Sequence, residues 1–241
     1  MVCYVQSVVL VTGAARDLGK EVARRLTASG HHVVIGARDA GQAVVAAEEV
    51  GAAALPVALD VADDTSVRAA ADVLVAAPGR LDVLVNNAAA FPDFAETVTS
   101  ANLDAVRRVL ETNFFGAWRL TQAVLPLLRR SPAPRIVNVS SGAGSHGDTT
   151  YGLTSRGGTT ASYAISKAAL NALTSTLAAE LAGSGILVNA VCPGFTATFP
   201  GAEQMGARPP AESAVGVVWA ATLPDGGPSG GFFRDAQPLP W

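Results

Sequence analysis

The sequence predicts an α/β protein: a doubly wound parallel sheet of about seven strands, with helices on both faces. Two features of the 241-residue chain carry that expectation. Short runs rich in β-branched residues alternate with alanine-rich segments of helical periodicity. Most of the runs are also continuously apolar, the pattern of strands covered on both sides.

The first strand is Val8–Thr12, and the helix after it carries Leu18, Val22 and Leu26 at spacing four. Strands follow at His32–Ala37, 54–60 and Val83–Asn86, and a helix begins near Asn102. Strands at 135–140 and 186–191 flank a helix striped by Leu170, Leu173, Leu177 and Leu181, and 231–233 makes a short last strand. Strands separated by helices call for right-handed crossovers. No Gly/Pro/Ser-rich linker divides the middle of the chain, so residues 1–241 read as one domain. Two irregular stretches, 142–160 and 195–210, fall where loops gather at the carboxyl ends of such strands and make the site.

Composition narrows the function classes. A net charge of −3 without a basic run argues against nucleic acid as a partner. No stretch reaches the roughly 18 apolar residues of a membrane span, and residues 1–7 lack a basic leader region. The expectation is a cytoplasmic protein with no membrane partner. Cys3 and Cys192, and the histidines His31 and His32, have no ligand-type spacing, so no metal is expected; His146, in the stretch 142–160, reads as a solvent-facing residue. Of the 17 basic residues only Lys20 and Lys167 are lysines.

Chemistry begins at the turn from Thr12 to Gly19. A tight turn between a strand and a helix lets backbone N–H groups and the helix N-terminus face a pyrophosphate. A magnesium-binding phosphate loop does not fit, because Gly13 to Gly19-Lys20 is one residue too long and Glu21 stands where Ser or Thr is needed. Lys20 therefore reads as a solvated first-turn residue. The second strand ends at Ala37-Arg38-Asp39. An acidic tip suits the ribose hydroxyls of NAD, whereas arginine suits the extra phosphate of NADP. Arg38, with Arg16 in the turn, favours NADP(H) over NAD(H); Asp39 is the residue that would oppose it.

Tyr163 and Lys167 share a face at the head of a helix. A phenol with a reference pKa of about 10 is a poor acid or base at neutrality. A cation one turn away stabilises the phenolate and lowers that value. Upstream, a strand ends in Ser140-Ser141, where a hydroxyl can donate to a carbonyl oxygen as charge develops. Asn86-Asn87-Ala88-Ala89 ends the fourth strand, Asn113 lies in the helix begun near Asn102, and Cys192-Pro193-Gly194-Phe195-Thr196-Ala197-Thr198 follows the sixth strand.

Together, in this order and at these spacings, the segments resemble the short-chain dehydrogenase/reductase family over nearly the whole chain. The resemblance implies a single-domain Rossmann fold. It implies Tyr163 as catalytic acid/base, Lys167 lowering its pKa and binding the nicotinamide ribose, Ser141 orienting substrate, and Asn113 holding a water in the proton relay. It places Gly13, Arg16, Asp17, Leu18 and Gly19 at the pyrophosphate, and Asp60 and Val61 beside adenine. Asn86, Asn87 and Ala88 would underlie the cofactor, and Pro193, Gly194, Thr196 and Thr198 would contact its nicotinamide end. The tail from Gly230 to Trp241 resembles that of a carbonyl-reductase-like branch.

Three departures stand out. Asp17 replaces the family's second turn glycine and is expected to point away from phosphate or to cap the helix. Ala89 replaces the glycine that follows Asn-Asn-Ala. The stretch between Ser141 and Tyr163 is longer than usual and is expected to cover the substrate mouth. The implied activity is NADPH-dependent reduction of a ketone or aldehyde to an alcohol, or the reverse, on a small-molecule substrate. The alternatives are a non-redox dehydratase, epimerase or cyclase on the same scaffold, marked by turnover without net NADPH change, and a non-catalytic nucleotide sensor, which the intact Asn113, Ser141, Tyr163 and Lys167 oppose. Homodimer, homotetramer and monomer all remain open.

Overall fold

The computed structural model describes residues 7–155 and 157–241; Cys3 lies outside them. Eight strands form one sheet: β1 (Val8–Thr12), β2 (His32–Ala37), β3 (Ala54–Ala58), β4 (Val83–Asn86), β5 (Arg135–Val139), β6 (Leu187–Val191), β7 (Phe232–Arg234) and β8 (Gln237–Pro238). Their order is β3-β2-β1-β4-β5-β6-β7-β8. Pairing is parallel throughout except between β7 and β8. The order reverses direction after β1, so β1 and β4 part company at their carboxyl ends and open the crevice where this class of fold binds ligands.

Seven α-helices cover the sheet: α1 (Asp17–Ala28), α2 (Ala40–Val50), α3 (Asp64–Ala76), α4 (Leu103–Leu110), α5 (Ala117–Leu128), α6 (Ala161–Glu180) and α7 (Pro210–Ala221). Alternate residues of each strand point to opposite faces. Val9 and Val11 therefore meet Leu18, Val22 and Leu26 of α1 and Val217 of α7. Leu10 and Leu84 meet Leu74 of α3 and Leu120, Val124 and Leu127 of α5. Each layer has its own apolar core, and the strands are buried on both sides as their unbroken apolar runs require. Among the described residues no helix is long and apolar enough to cross a membrane.

Two details differ from the sequence expectation. Among the described residues there are eight strands rather than about seven, because the tail folds back after β7. Asp235 and Ala236, at φ +53° and +61°, make a two-residue turn with both centres left-handed, the kind that closes a hairpin. Asp-Ala lacks the glycine that normally announces such a turn. The helix begun near Asn102 is also not continuous: a π-helical turn, Glu111–Gly116, joins α4 to α5. Gly116 there lies so close to the backbone after β3 that an added Cβ would stand 2.7 Å from Val61 Cγ2.

Leu84 on β4 is fully buried between the layers. Leu84→Ala should cost about 2–5 kcal/mol of stability, seen as a lower urea midpoint at unchanged m-value.

Candidate active site

Polar side chains collect at the carboxyl edge of the sheet and bond one another, although the buried Asn86 Oδ1 is left without a partner among the described residues. Thr12 Oγ1 accepts the N–H groups of Asn87 and Ala88, both at 2.9 Å. Asn87 Nδ2 donates to the carbonyl of Thr12 at 2.8 Å. Asn86 Nδ2 donates to Asn138 Oδ1 at 2.9 Å, and Asn138 Nδ2 to Thr174 Oγ1 at 2.9 Å, a buried seam from β4 across β5 to α6. Hydrogen-bonded amides inside the protein cost little, and they lock the strand ends that carry the site.

The glycine turn is built for close approach. Gly13 sits at φ +64°, and a Cβ on Gly19 would lie 2.4 Å from the Gly13 carbonyl and 2.6 Å from Asn87 Nδ2. Leu18 is buried behind the turn. Position N-cap of α1 is Arg16, with no side-chain cap, so Asp17 does not cap the helix. Asp17 instead adopts φ +48°, a left-handed conformation in which glycine is easier, and its carboxylate lies 3.5 Å from Arg16 Nε. Ala89 is exposed, so its extra methyl displaces nothing.

Two clefts adjoin this edge. One, of about 450 Å³, lies between Arg16 and Asp17 on one side and Thr198, Phe199, Glu203 and Gln204 on the other. The other, of about 540 Å³, is lined by Arg38, Asp60, Phe91, Arg108, Glu111 and Thr112 among others. Arg16 and Arg38 thus line different clefts. Asp39 does not oppose Arg38, because its carboxylate caps α2 through Gln42 N at 2.8 Å. Asp60 is held by Ser66 Oγ, which accepts its N–H at 2.9 Å, and Arg119 fixes Val61 through its carbonyl at 2.8 Å. Arg108 was not singled out from the sequence: an arginine on an exposed helix face has no local signal for a cleft on another element.

Tyr163 and Lys167 lie near the head of α6, as their spacing predicts. Lys167 is 2% exposed, its Nζ donates to the Val139 carbonyl at 2.7 Å and stands 5.6 Å from the Tyr163 ring centroid. Burial lowers its pKa to about 8. Of the two serines, Ser140 is fully buried and committed to Asn171 Oδ1 at 2.5 Å, whereas Ser141 is half-buried and opens the turn Gly142–Gly144 by accepting Ala143 N at 3.1 Å. Asn113 sits in the π-helical turn, a device that re-aims side chains at functional sites. Its Oδ1 accepts Ala90 N at 2.7 Å, and its Nδ2 donates to the Ala90 carbonyl at 2.9 Å and to Ser166 Oγ at 3.0 Å. Ser166 in turn donates to the Tyr163 carbonyl at 2.7 Å.

Beyond β6, the Pro193 carbonyl accepts from Arg208 Nε at 2.8 Å, and Gly194 at φ +76° lies against that guanidinium. Thr196 is buried and donates to Ser213 Oγ at 2.8 Å. Part of the stretch 142–160 is tied to the tail. Asp148, buried, pairs with Arg234 at 2.5 Å, and backbone N–H groups with Arg234 hold its carboxyl below the usual range despite burial. His146 is exposed, as expected. The ring of Phe91 stacks on Tyr163 with centroids 4.9 Å apart.

Comparison with known proteins follows from this geometry. The profile of the short chain dehydrogenase family matches residues 7–206. A 3-oxoacyl-[acyl-carrier-protein] reductase of Synechocystis is 34% identical over 213 residues, covering 87% of this chain and 81% of that protein. A short-chain reductase of Streptomyces niveus is 37% identical, covering 84% and 74%. The crystal structure of a 3-ketoacyl-(acyl-carrier-protein) reductase from Brucella melitensis, complexed with NADH, superposes with a TM-score of 0.83 at 28% identity, covering 95% and 96%.

The crowding at Gly19 makes one outcome specific. Gly19→Ala should lower the melting temperature by several degrees, the effect of a loss of about 1–3 kcal/mol from overpacking, measured by thermal unfolding.

Proposed function

The chain belongs to the short-chain dehydrogenase/reductase family of C=O/CH–OH oxidoreductases, and from that premise we propose an NADPH-dependent reductase of a ketone or aldehyde, with Tyr163 as the acid. The single observation that carries this reading is the buried Lys167 ammonium beside the Tyr163 ring.

The turn fits a dinucleotide. Only a residue without a Cβ clears the Gly13 carbonyl at position 19, and the uncapped start of α1 leaves N–H groups free for a pyrophosphate. Gly13, Arg16, Leu18 and Gly19 would hold that group, with Asp17 turned to Arg16. Asp60, Val61, Asn86, Asn87 and Ala88 would line the adenosine and ribose path. Pro193, Gly194, Thr196 and Thr198 would flank the nicotinamide. Arg38, exposed at the tip of β2 and joined in its cleft by Arg108, supports the preference for the 2′-phosphate. When bound, the nicotinamide supplies the hydride.

The chain's own residues do the rest. Ser141 donates to the carbonyl oxygen and holds it as negative charge develops. Tyr163 gives that oxygen its phenolic proton. Lys167 stabilises the phenolate left behind and offers donors to ribose hydroxyls. Asn113 fixes Ala90 and, through Ser166, the Tyr163 backbone, while the second lone pair of its Oδ1 is available to a relay water. The stretches 142–160 and 195–210 bound the substrate.

Tyr163→Phe should lower NADPH-linked carbonyl reduction by about 10²-fold or more; full activity would refute the mechanism. Lys167→Arg should lose most activity, since a planar fork does not fit a buried site shaped for a compact ammonium. Lys20→Arg should be nearly silent, because Lys20 makes only an exposed pair with Glu49. Equal behaviour of the two variants would count against the reading. Because burial places the Lys167 pKa at about 8, the ammonium is lost as pH rises through that value. The kcat/KM for reduction should therefore fall above pH about 8, not near the ordinary lysine value.

A further inference from the structure

We propose that Phe91, Phe94, Phe195 and Phe199 form an aromatic shelf beside Tyr163, and that the substrate is a free, uncharged ketone set in or next to a planar ring. This rests on the reductase reading above.

The rings come from two segments, one after β4 and one after β6. Phe91 lies face to face with Tyr163, their planes 19° apart. Phe94 packs on Phe199 at 5.5 Å, and Phe199 is 6.5 Å from Phe195. Phe91 and Phe94 remain 55% and 59% exposed. Clustered aromatic surface left in water beside a reactive group does little for folding, and such patches mark binding sites. The place of Phe91 is imposed, because Asn113 grips both the N–H and the carbonyl of the preceding Ala90. One face of Phe91 is taken by Tyr163, so a flat ring would lie on Phe94 and Phe199 and present an adjacent carbonyl at the edge of the Phe91–Tyr163 stack.

Charge argues against a carrier-bound substrate. Asp93 and Glu96 lie beside Phe91 and Phe94, and Glu203 lines the cleft with Phe199. Among the described residues, Arg208 is tied to Asp235 at 2.8 Å and to the Pro193 carbonyl, and Arg16 stands beside Asp17. The phosphodiester of a pantetheine arm would meet these carboxylates, while the Arg208 guanidinium is already engaged, an unfavourable juxtaposition.

The test compares 1-tetralone, 2-butanone and acetoacetyl-coenzyme A as substrates with NADPH. The expected kcat/KM for 1-tetralone exceeds each of the others by about tenfold or more. Phe94→Ala and Phe199→Ala should each lower the tetralone-to-butanone ratio of kcat/KM by about tenfold, mainly through KM. Phe94 is largely exposed, so its truncation leaves the core untouched, and an unchanged melting temperature confirms the fold. Preference for acetoacetyl-coenzyme A, or an unchanged ratio in both variants, overturns the shelf and leaves the reductase reading intact. Turnover of none of the three overturns both.

Discussion

Withdrawing the Lys167 ammonium from water is unfavourable unless donors find acceptors, and the Val139 carbonyl at 2.7 Å supplies one. That bond ties the first turns of α6 to the carboxyl end of β5 and thereby sets where Tyr163 stands. Ser140 reinforces the same junction through Asn171, and Asn138 does so one strand position earlier through Thr174. Helix and strand are thus joined by polar bonds at the site, while Leu170 and Leu173 pack α6 against Ala117 at the start of α5. The burial that secures the junction also depresses the pKa of the lysine. Structural anchoring and chemical tuning are one event at this residue.

A second bracket faces it. The π-helical turn lets Asn113 leave the regular face of its helix and reach both the segment after β4 and Ser166 on α6. Gly116, in the same turn, lets the backbone approach Val61 where any side chain would collide. The segment after β4 and the Tyr163 helix are therefore positioned against a common support. On the other flank, Asp148 and Arg234 hold the stretch 142–160 against the tail, where Trp241 stacks on Phe232 at 5.3 Å and its carbonyl accepts the His146 and Gly147 N–H groups. Residues 145–148 of the extra length between Ser141 and Tyr163 are thus held by the tail.

Legibility in the sequence followed the range of the forces involved. Val9, Leu10 and Val11 announced a strand buried on both faces because an unbroken apolar run is read from consecutive residues alone. Tyr163 and Lys167 were legible because helical spacing alone brings them to one face. The hairpin at Asp235 and Ala236 was not, since neither residue advertises a left-handed backbone and packing of the tail imposes it. Asp17 was legible as a departure, but not its outcome: it neither caps α1 nor leaves the turn, and it pairs with its neighbour Arg16.

By itself the sequence determined the doubly wound sheet, the glycine turn and the order in which Asn113, Ser141, Tyr163 and Lys167 arrive at one edge. These depend on periodicity and on residues whose backbone needs are local. Only the tertiary structure decided that Phe91 lies on Tyr163, that Arg108 joins Arg38, that Arg16 lines another cleft and that Lys167 is drawn wholly out of water. Those contacts join segments far apart in the chain, and their geometry depends on how the layers pack, which no local pattern encodes.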